Sequence, residues 1–210
     1  MQHQFGLKLK RHIADNLGRF ERRPIVDPEK RKAAVALVVV PGEIEGHAAL
    51  LLTKRPETLR RHGGQFALPG GRLDDGETDA DAALRELREE LGLTLSTSAI
   101  LGQLDDFPTR SGFRITPIVA WADDLTDLQP DPTEVARVFR VPLADLESPD
   151  IPFLETSTAS DHPVMSAPLA TLGHRVYAPT AALLYQFREV ALRGCHTRVA
   201  HFDQPRFAWK

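Results

Sequence analysis

One cysteine in 210 residues, Cys195, leaves no partner for an intrachain disulfide and no thiolate set for a zinc cluster. A lone thiol is ordinarily inert, so Cys195 reads as a sign of a reducing compartment and not as a nucleophile. The chain also lacks any apolar run near the roughly 20 residues that span a membrane. Its first residues have no long apolar core and no small-residue cleavage site, which argues against a secretory signal. Asp15 and Glu21 argue against a mitochondrial targeting peptide. Positive charge is not in excess: 26 Lys and Arg stand against 29 Asp and Glu, a formal net charge of -3. A global basic field for nucleic acid is therefore absent, and any recognition of phosphate must be local. Internal repeats and low-complexity runs are missing too. These absences set three expectations: a cytoplasmic location, no membrane partner and no nucleic-acid partner.

What remains is 42% hydrophobic and 26% charged, which suits one globular domain with an ordinary core. Phe5, Leu9, Ile13 and Leu17 recur every four residues and predict an amphipathic helix packed on the domain. Arg22 to Lys32 is charged and carries Pro24 and Pro28, so residues 1–32 divide into that helix and a connector. The domain is expected over 33–194, with 195–210 as a C-terminal tail. Ala33 to Val40 (AAVALVVV) predicts a strand buried on both faces. Ala48 to Thr53 predicts a second, paired as a hairpin. Further strands are expected at Ala99–Leu104, Arg114–Trp121, Glu134–Val141 and Arg175–Tyr177, with a short helix at Pro142–Leu146. A helix is expected from Pro179 to Arg193, stopped by Gly194. Glu147 to Thr171 is rich in Pro, Ser and Thr and reads as an extended, mobile loop.

The chain is organised around Gly71 to Leu93 (GRLDDGETDADAALRELREELGL). Thr78, with Asp81 three residues on, can cap a helix there, and Gly92 can end it. Helical spacing places Glu86, Glu89 and Glu90 on one face, and Ala83, Leu84, Leu87 and Leu91 on another. Three carboxylates packed together repel unless a cation lies over them. Mg²⁺ or Mn²⁺ suits an all-oxygen donor set. Just upstream, Lys54 to Arg72 holds Lys54, Arg55, Arg60, Arg61 and Arg72 against one acid, Glu57. It also carries Gly63, Gly64, Gly70 and Gly71, which are expected to expose backbone N–H groups. Such a segment suits a polyphosphate.

The central stretch resembles the signature of the Nudix hydrolases. That pattern is a Gly, five residues, a Glu, seven residues, then Arg-Glu-apolar-x-Glu-Glu-x-Gly-apolar. Gly71, Glu77, Arg85, Glu86, Leu87, Glu89, Glu90, Gly92 and Leu93 fill it without departure. The resemblance implies an α/β fold, an α/β/α sandwich with a mixed β-sheet. It also implies hydrolysis of a diphosphate linked to another moiety, with Mg²⁺ or Mn²⁺ as cofactor. Glu86, Glu89 and Glu90 are the implied metal ligands, joined by the backbone carbonyl of Gly70. Glu86 and Glu89 are the catalytic candidates, Glu89 being either a further ligand or the base. Arg85 has a structural reading, pairing with Glu77 and holding the loop to the helix, with Gly71 and Gly92 as structural glycines. Members of the family often dimerise, so a homodimer stays open.

Leu51 to Gly71 (LLTKRPETLRRHGGQFALPGG) further resembles the upstream motif of the coenzyme A pyrophosphatase branch. Leu51, Leu52, Thr53, Arg55, Leu59, Arg60, His62, Gly64, Phe66, Pro69, Gly70 and Gly71 match it, while Pro56 and Leu68 replace the usual Ser and Phe. The branch cleaves coenzyme A or its thioesters to adenosine 3′,5′-bisphosphate and 4′-phosphopantetheine or its acyl form. Arg55 and Arg60 are the main expected phosphate contacts, with Gly64 and Arg72 beside them. His62 either hydrogen-bonds a phosphate or braces the loop. Glu134 is either an additional acid near the metals or a surface residue at a strand edge.

Overall fold

The structure is a computed structural model that describes residues 3–59, 63–157 and 160–205. The elements run α1 (Leu7–Arg19), β1 (Arg31–Pro41), β2 (Ala48–Lys54), β3 (Phe66–Ala67), β4 (Gly70–Arg72) and α2 (Asp79–Leu91). They continue through β5 (Ile100–Gln103), β6 (Phe107–Pro108), β7 (Phe113–Trp121), β8 (Arg137–Pro142) and α3 (Leu143–Leu146). Last come β9 (Phe153–Ser157), β10 (Ser160–Leu169), β11 (His174–Tyr177) and α4 (Thr180–Phe187). Among the described residues no helix is long and apolar enough to cross a membrane.

The valine-rich run becomes β1, the middle of a mixed sheet ordered β3-β2-β1-β7-β5. Even residues Ala34, Ala36, Val38 and Val40 face one apolar cluster, and Leu37 and Val39 face the other. A strand buried on both faces needs apolar residues throughout, which is why the run shows no alternation. β7 runs parallel to β1 from Arg31↔Phe113 to Val39↔Trp121, and β2 and β5 run antiparallel to their neighbours. α2 covers the even face with Ala82, Ala83, Leu87 and Leu91, all fully buried. Burying each of those leucines contributes about 2 kcal/mol. Leu84, expected on the docking face, is only partly buried, and Ala82 takes that place. α1 and α4 cover the other face with Leu9, Ile13, Leu17, Leu183, Leu184 and Phe187. The result is the expected α/β/α sandwich.

The sheet forks where the site lies. β1 and β2 pair only over Val39–Pro41 and Ala48–Leu50, then part. β3 pairs with the far end of β2, and β4 pairs with β1 over Ala33–Val35. Leu68 and Pro69 fill the crotch, and Ala36 N–H donates to the Pro69 carbonyl at 2.8 Å. The glycine pair Gly70–Gly71 is thereby fixed by β1, whose residues Ala36 to Val40 are fully buried.

Four expectations need correction. Glu147–Thr171 is no loop: β9 and β10 form, with β11, a second, antiparallel sheet. Prolines 152, 163 and 168 read as breakers, but Met165, Ala167 and Leu169 alternate inward and bury. The strand expected from Glu134 starts only at Arg137. Asp131 holds the preceding residues in a turn, accepting from the Thr133 N–H and hydroxyl at 2.8 Å each. Phe5 lies outside α1, stacked on Trp121 with centroids 4.4 Å apart. Finally, the helix after Pro179 is α-helical only through Phe187 and continues as a π-helical turn over Arg188–Leu192.

Residues 195–205 lie along the domain. Val199 is buried, and Arg110 forms a two-pronged ion pair with Asp203 at 2.9 and 2.6 Å. The Gln204 side-chain carbonyl accepts from the Arg110 N–H at 2.8 Å.

Candidate active site

α2 is fixed at both ends by its sequence. Thr78 Oγ1 accepts from the Asp81 N–H at 3.1 Å, and Asp81 accepts from the Thr78 N–H at 3.3 Å. Gly92 ends the helix in the left-handed region, φ 69°, a conformation that disfavours side chains. The helix then presents its glutamates at graded depth. Glu90 is 4% exposed, Glu86 is partly buried and Glu89 is exposed.

Two close approaches lock the glycine pair to these acids. A β-carbon on Gly71 would lie 2.1 Å from Glu86 Oε1, and one on Gly70 would lie 2.3 Å from the Ala34 carbonyl oxygen. The Gly70 N–H donates to Glu90 Oε2 at 3.3 Å. Glycine is the residue type that lets the strand and the helix meet here.

Arg85 is the hub of the acidic face. It grips Glu77 through Nε at 2.8 Å and Nη2 at 3.1 Å. Nη2 also donates to the Arg72 carbonyl at 2.9 Å, tying β4 to α2. Nη1 donates to Glu86 and Glu89, both at 2.9 Å. The Arg85 hydrogen bonds, with the Asp74 N–H, pull the Glu77 carboxyl below its usual range. Glu86 is pushed up, first by burial and then by Glu89 and Glu134, against the pull of Arg85. Glu90 is pushed up to about 8, first by burial and then by Glu86, with Arg55 opposing. Burial and like charge both favour the neutral acid, and here they act on the same group.

Glu134 belongs to this acidic niche. The turn before β8 is tied to the end of α2, since the Asp131 N–H donates to the Glu90 carbonyl at 2.9 Å. From there Glu134 adds negative charge to both Glu86 and Glu90.

Beside the acids opens a cleft of about 880 Å³. Arg55, Gly64, Gly70, Gly71 and Arg72, all expected at the site, line it. Glu86, Glu89, Glu90 and Glu134 lie beyond its edge, and cleft and acids meet at Gly70–Gly71. The direct electrostatic link is Arg55 Nη1, 3.8 Å from Glu90 Oε1. Arg60 and His62 lie outside the described residues. Sequence reasoning missed several cleft residues: Arg31, Thr109, Phe113, Arg175 and Gln204. Each is brought to the cleft from a distant part of the chain and carries no local signal.

Residues 30–162, well over half of the chain, match the family model described as the NUDIX domain. The chain belongs to the Nudix family. It is 34% identical over 145 residues to a Yersinia enterocolitica protein described as an uncharacterized Nudix hydrolase, NudL, covering 68% of this chain and 74% of that one. It is likewise 34% identical over 149 residues to Nudix hydrolase 3 of Caenorhabditis elegans, covering 68% of this chain and 62% of that one. A MutT/nudix family protein from Enterococcus faecalis shares the fold, with a TM-score of 0.54 at 17% identity over 89% of this chain and 75% of that one. The protein is thus a Nudix hydrolase, an enzyme of the class acting on nucleoside diphosphate derivatives.

Nudix hydrolases use divalent metal ions, and the donor set suits one. The niche is built from carboxylates, the oxygen chemistry of hard cations. Among the described residues no three acidic, histidine or cysteine groups stand close enough to hold an ion as they are placed. In this arrangement Arg85 Nη1 holds both Glu86 and Glu89, each at 2.9 Å.

Proposed function

We propose that this Nudix hydrolase cleaves the diphosphate of coenzyme A or its derivatives, giving adenosine 3′,5′-bisphosphate and 4′-phosphopantetheine or its acyl form. The observation that carries this reading is a coincidence of sequence and place. Arg55, Gly64, Phe66, Gly70 and Gly71, all from the coenzyme A branch motif, line one cleft that ends against Glu90.

Glu86, Glu89 and Glu90, with the Gly70 carbonyl, would hold Mg²⁺ or Mn²⁺. When bound, such an ion supplies positive charge for the phosphate oxygens and acidifies water. Arg55 orients the diphosphate, since a guanidinium offers a planar fork to oxyanions. The Gly63–Gly64 turn braces this arginine, since the Gly64 N–H donates to the Arg55 carbonyl at 3.1 Å. Arg60 and His62 are proposed as phosphate contacts from the motif alone. Glu89, the most exposed of the three acids, is the proposed acceptor of the proton from the attacking water, with Glu86 as the other candidate. No covalent nucleophile is needed, because in-line attack on a diphosphate requires positioning and charge stabilisation. Arg85 and Glu77 keep β4 and α2 in register.

Incubating the pure protein with coenzyme A and Mg²⁺ or Mn²⁺, then separating the products, tests the reading. Appearance of both expected products supports it. Rapid cleavage of ADP-ribose or a dinucleoside polyphosphate, with coenzyme A left intact, assigns a different nucleoside diphosphate derivative instead.

A further inference from the structure

Among the described residues, and apart from Arg175, which lies over Phe153 with Cζ 3.7 Å from its centroid, the cleft holds two groups of cations, and the proposed chemistry uses only one. The first, Lys54 and Arg55, already has acidic partners: Lys54 Nζ is 3.3 Å from Glu57, and Arg55 is 3.8 Å from Glu90. The second is Arg31 and Arg72, at the opposite end of the same wall. Both guanidinium groups lie against one ring, Phe113, with Cζ 4.0 and 5.2 Å from its centroid. Arg31 donates to the Ser111 carbonyl at 2.7 Å, and Arg72 lends only its backbone carbonyl to Arg85. Among the described residues neither guanidinium has a carboxylate partner. Two like charges held on one ring partly offset their repulsion through the ring face, and an anion between them gains from both.

β1 sets the distance between the two groups. Gly70 pairs with Val35 and Arg72 with Ala33, while Arg31 pairs with Phe113. Residues 31, 33 and 35 share the cleft face of β1. At about 3.3 Å per residue, Arg31 starts about 13 Å from the level of Gly70, and its side chain can reach back along the wall.

We infer that Arg31 and Arg72, seated on Phe113, form a second anion subsite that recognises a phosphomonoester on the nucleoside sugar. This rests on the reading of the cleft as a nucleoside diphosphate site. With the diphosphate at Gly70–Gly71, a phosphate on the ribose lies one sugar further along the wall, on the side of Arg72 and Arg31. It carries close to two negative charges near neutral pH and matches the fork of Arg. The pair therefore selects substrates that bear this phosphate over those that lack it.

The test compares coenzyme A with 3′-dephospho-coenzyme A, which share the scissile diphosphate. The wild type is expected to prefer coenzyme A in kcat/KM by about tenfold or more, the worth of one charge-assisted hydrogen bond. Arg31→Gln and Arg72→Gln should each narrow that preference, chiefly through KM, and Arg31→Lys should keep part of it. Both side chains are exposed, and thermal melting checks that the variants fold. Calorimetric titration with adenosine 3′,5′-bisphosphate and with AMP gives a readout without turnover. The bisphosphate should bind more tightly to the wild type, and the advantage should shrink in both variants. A preference unchanged in the variants, or an equal loss for both members of each pair, overturns the subsite. Failure of the wild type to cleave either substrate overturns the proposed function alone, because the two titrations still decide whether Arg31 and Arg72 read the sugar phosphate.

Discussion

A β-carbon on Gly71 would lie 2.1 Å from Oε1 of Glu86, so the width of one hydrogen atom on β4 decides where a site carboxylate can stand. Gly71→Ala must displace Glu86, a flexible side chain, and should fold nearly normally. Its turnover should fall by about two orders of magnitude, the cost typical of misplacing a reacting group by an ångström. Gly70→Ala meets the Ala34 backbone instead and should lose about 1–3 kcal/mol of stability. Parallel thermal melts and initial rates separate the two. Equal loss of stability in both variants would contradict the assignment.

Glu90→Gln keeps the shape of the most buried acid and removes its charge. Turnover should drop by about three orders of magnitude, as for removal of a preorganised electrostatic group, with the circular dichroism spectrum unchanged. Activity within about tenfold of wild type would remove Glu90 from the proposed ligand set.

The raised Glu90 pKa makes the metal-free protein sensitive to pH. The folded state holds a proton up to about 8, whereas the unfolded chain loses it near the ordinary value of 4.5. The resulting stabilisation is fully present below that ordinary value and is lost as pH rises through about 8. Thermal unfolding in a chelator should therefore show a midpoint that falls between pH 5 and 8.5, and Glu90→Gln should flatten the fall. Metal affinity should run the other way and strengthen over the same range, since a bound ion must displace the proton. A wild-type profile no steeper than that of the variant would speak against a buried acid here.

Arg85 makes five hydrogen bonds across β4, the following loop and α2. Arg85→Ala should cost about 1–3 kcal/mol, the penalty of leaving partly buried acceptors unpaired. Arg85→Lys should recover little of it, because a point charge cannot grip Glu77 with two prongs while reaching Arg72 and Glu86. Chemical denaturation of the three proteins decides this. Full recovery by lysine would mean that charge alone matters.

The legible part of the fold was the part written locally. Ala33–Val40, the Thr78–Asp81 cap and the Gly92 stop each carry their own instruction within a few residues. The charged half of the site was legible for the same reason, since its glutamates and glycines have fixed spacing. The second sheet was not, because the inward alternation of Met165, Ala167 and Leu169 is broken up by prolines that read as loop. By its local sequence Arg31 belongs to the charged connector. Its place in the cleft follows from pairing with Phe113, a partner 82 positions away, and nothing near Arg31 in the chain announces it.

The parallel pairing of β1 with β7 has a further consequence. β1 acts as a ruler whose divisions are backbone units. Removing one residue between Arg31 and Val35 would turn Arg31 to the opposite face, and removing two would keep its facing but bring it about 7 Å nearer Gly70. Length discrimination along the cleft is in this sense quantised: it shifts in steps of a residue pair, and substitutions on the wall can tune only the grip at each mark.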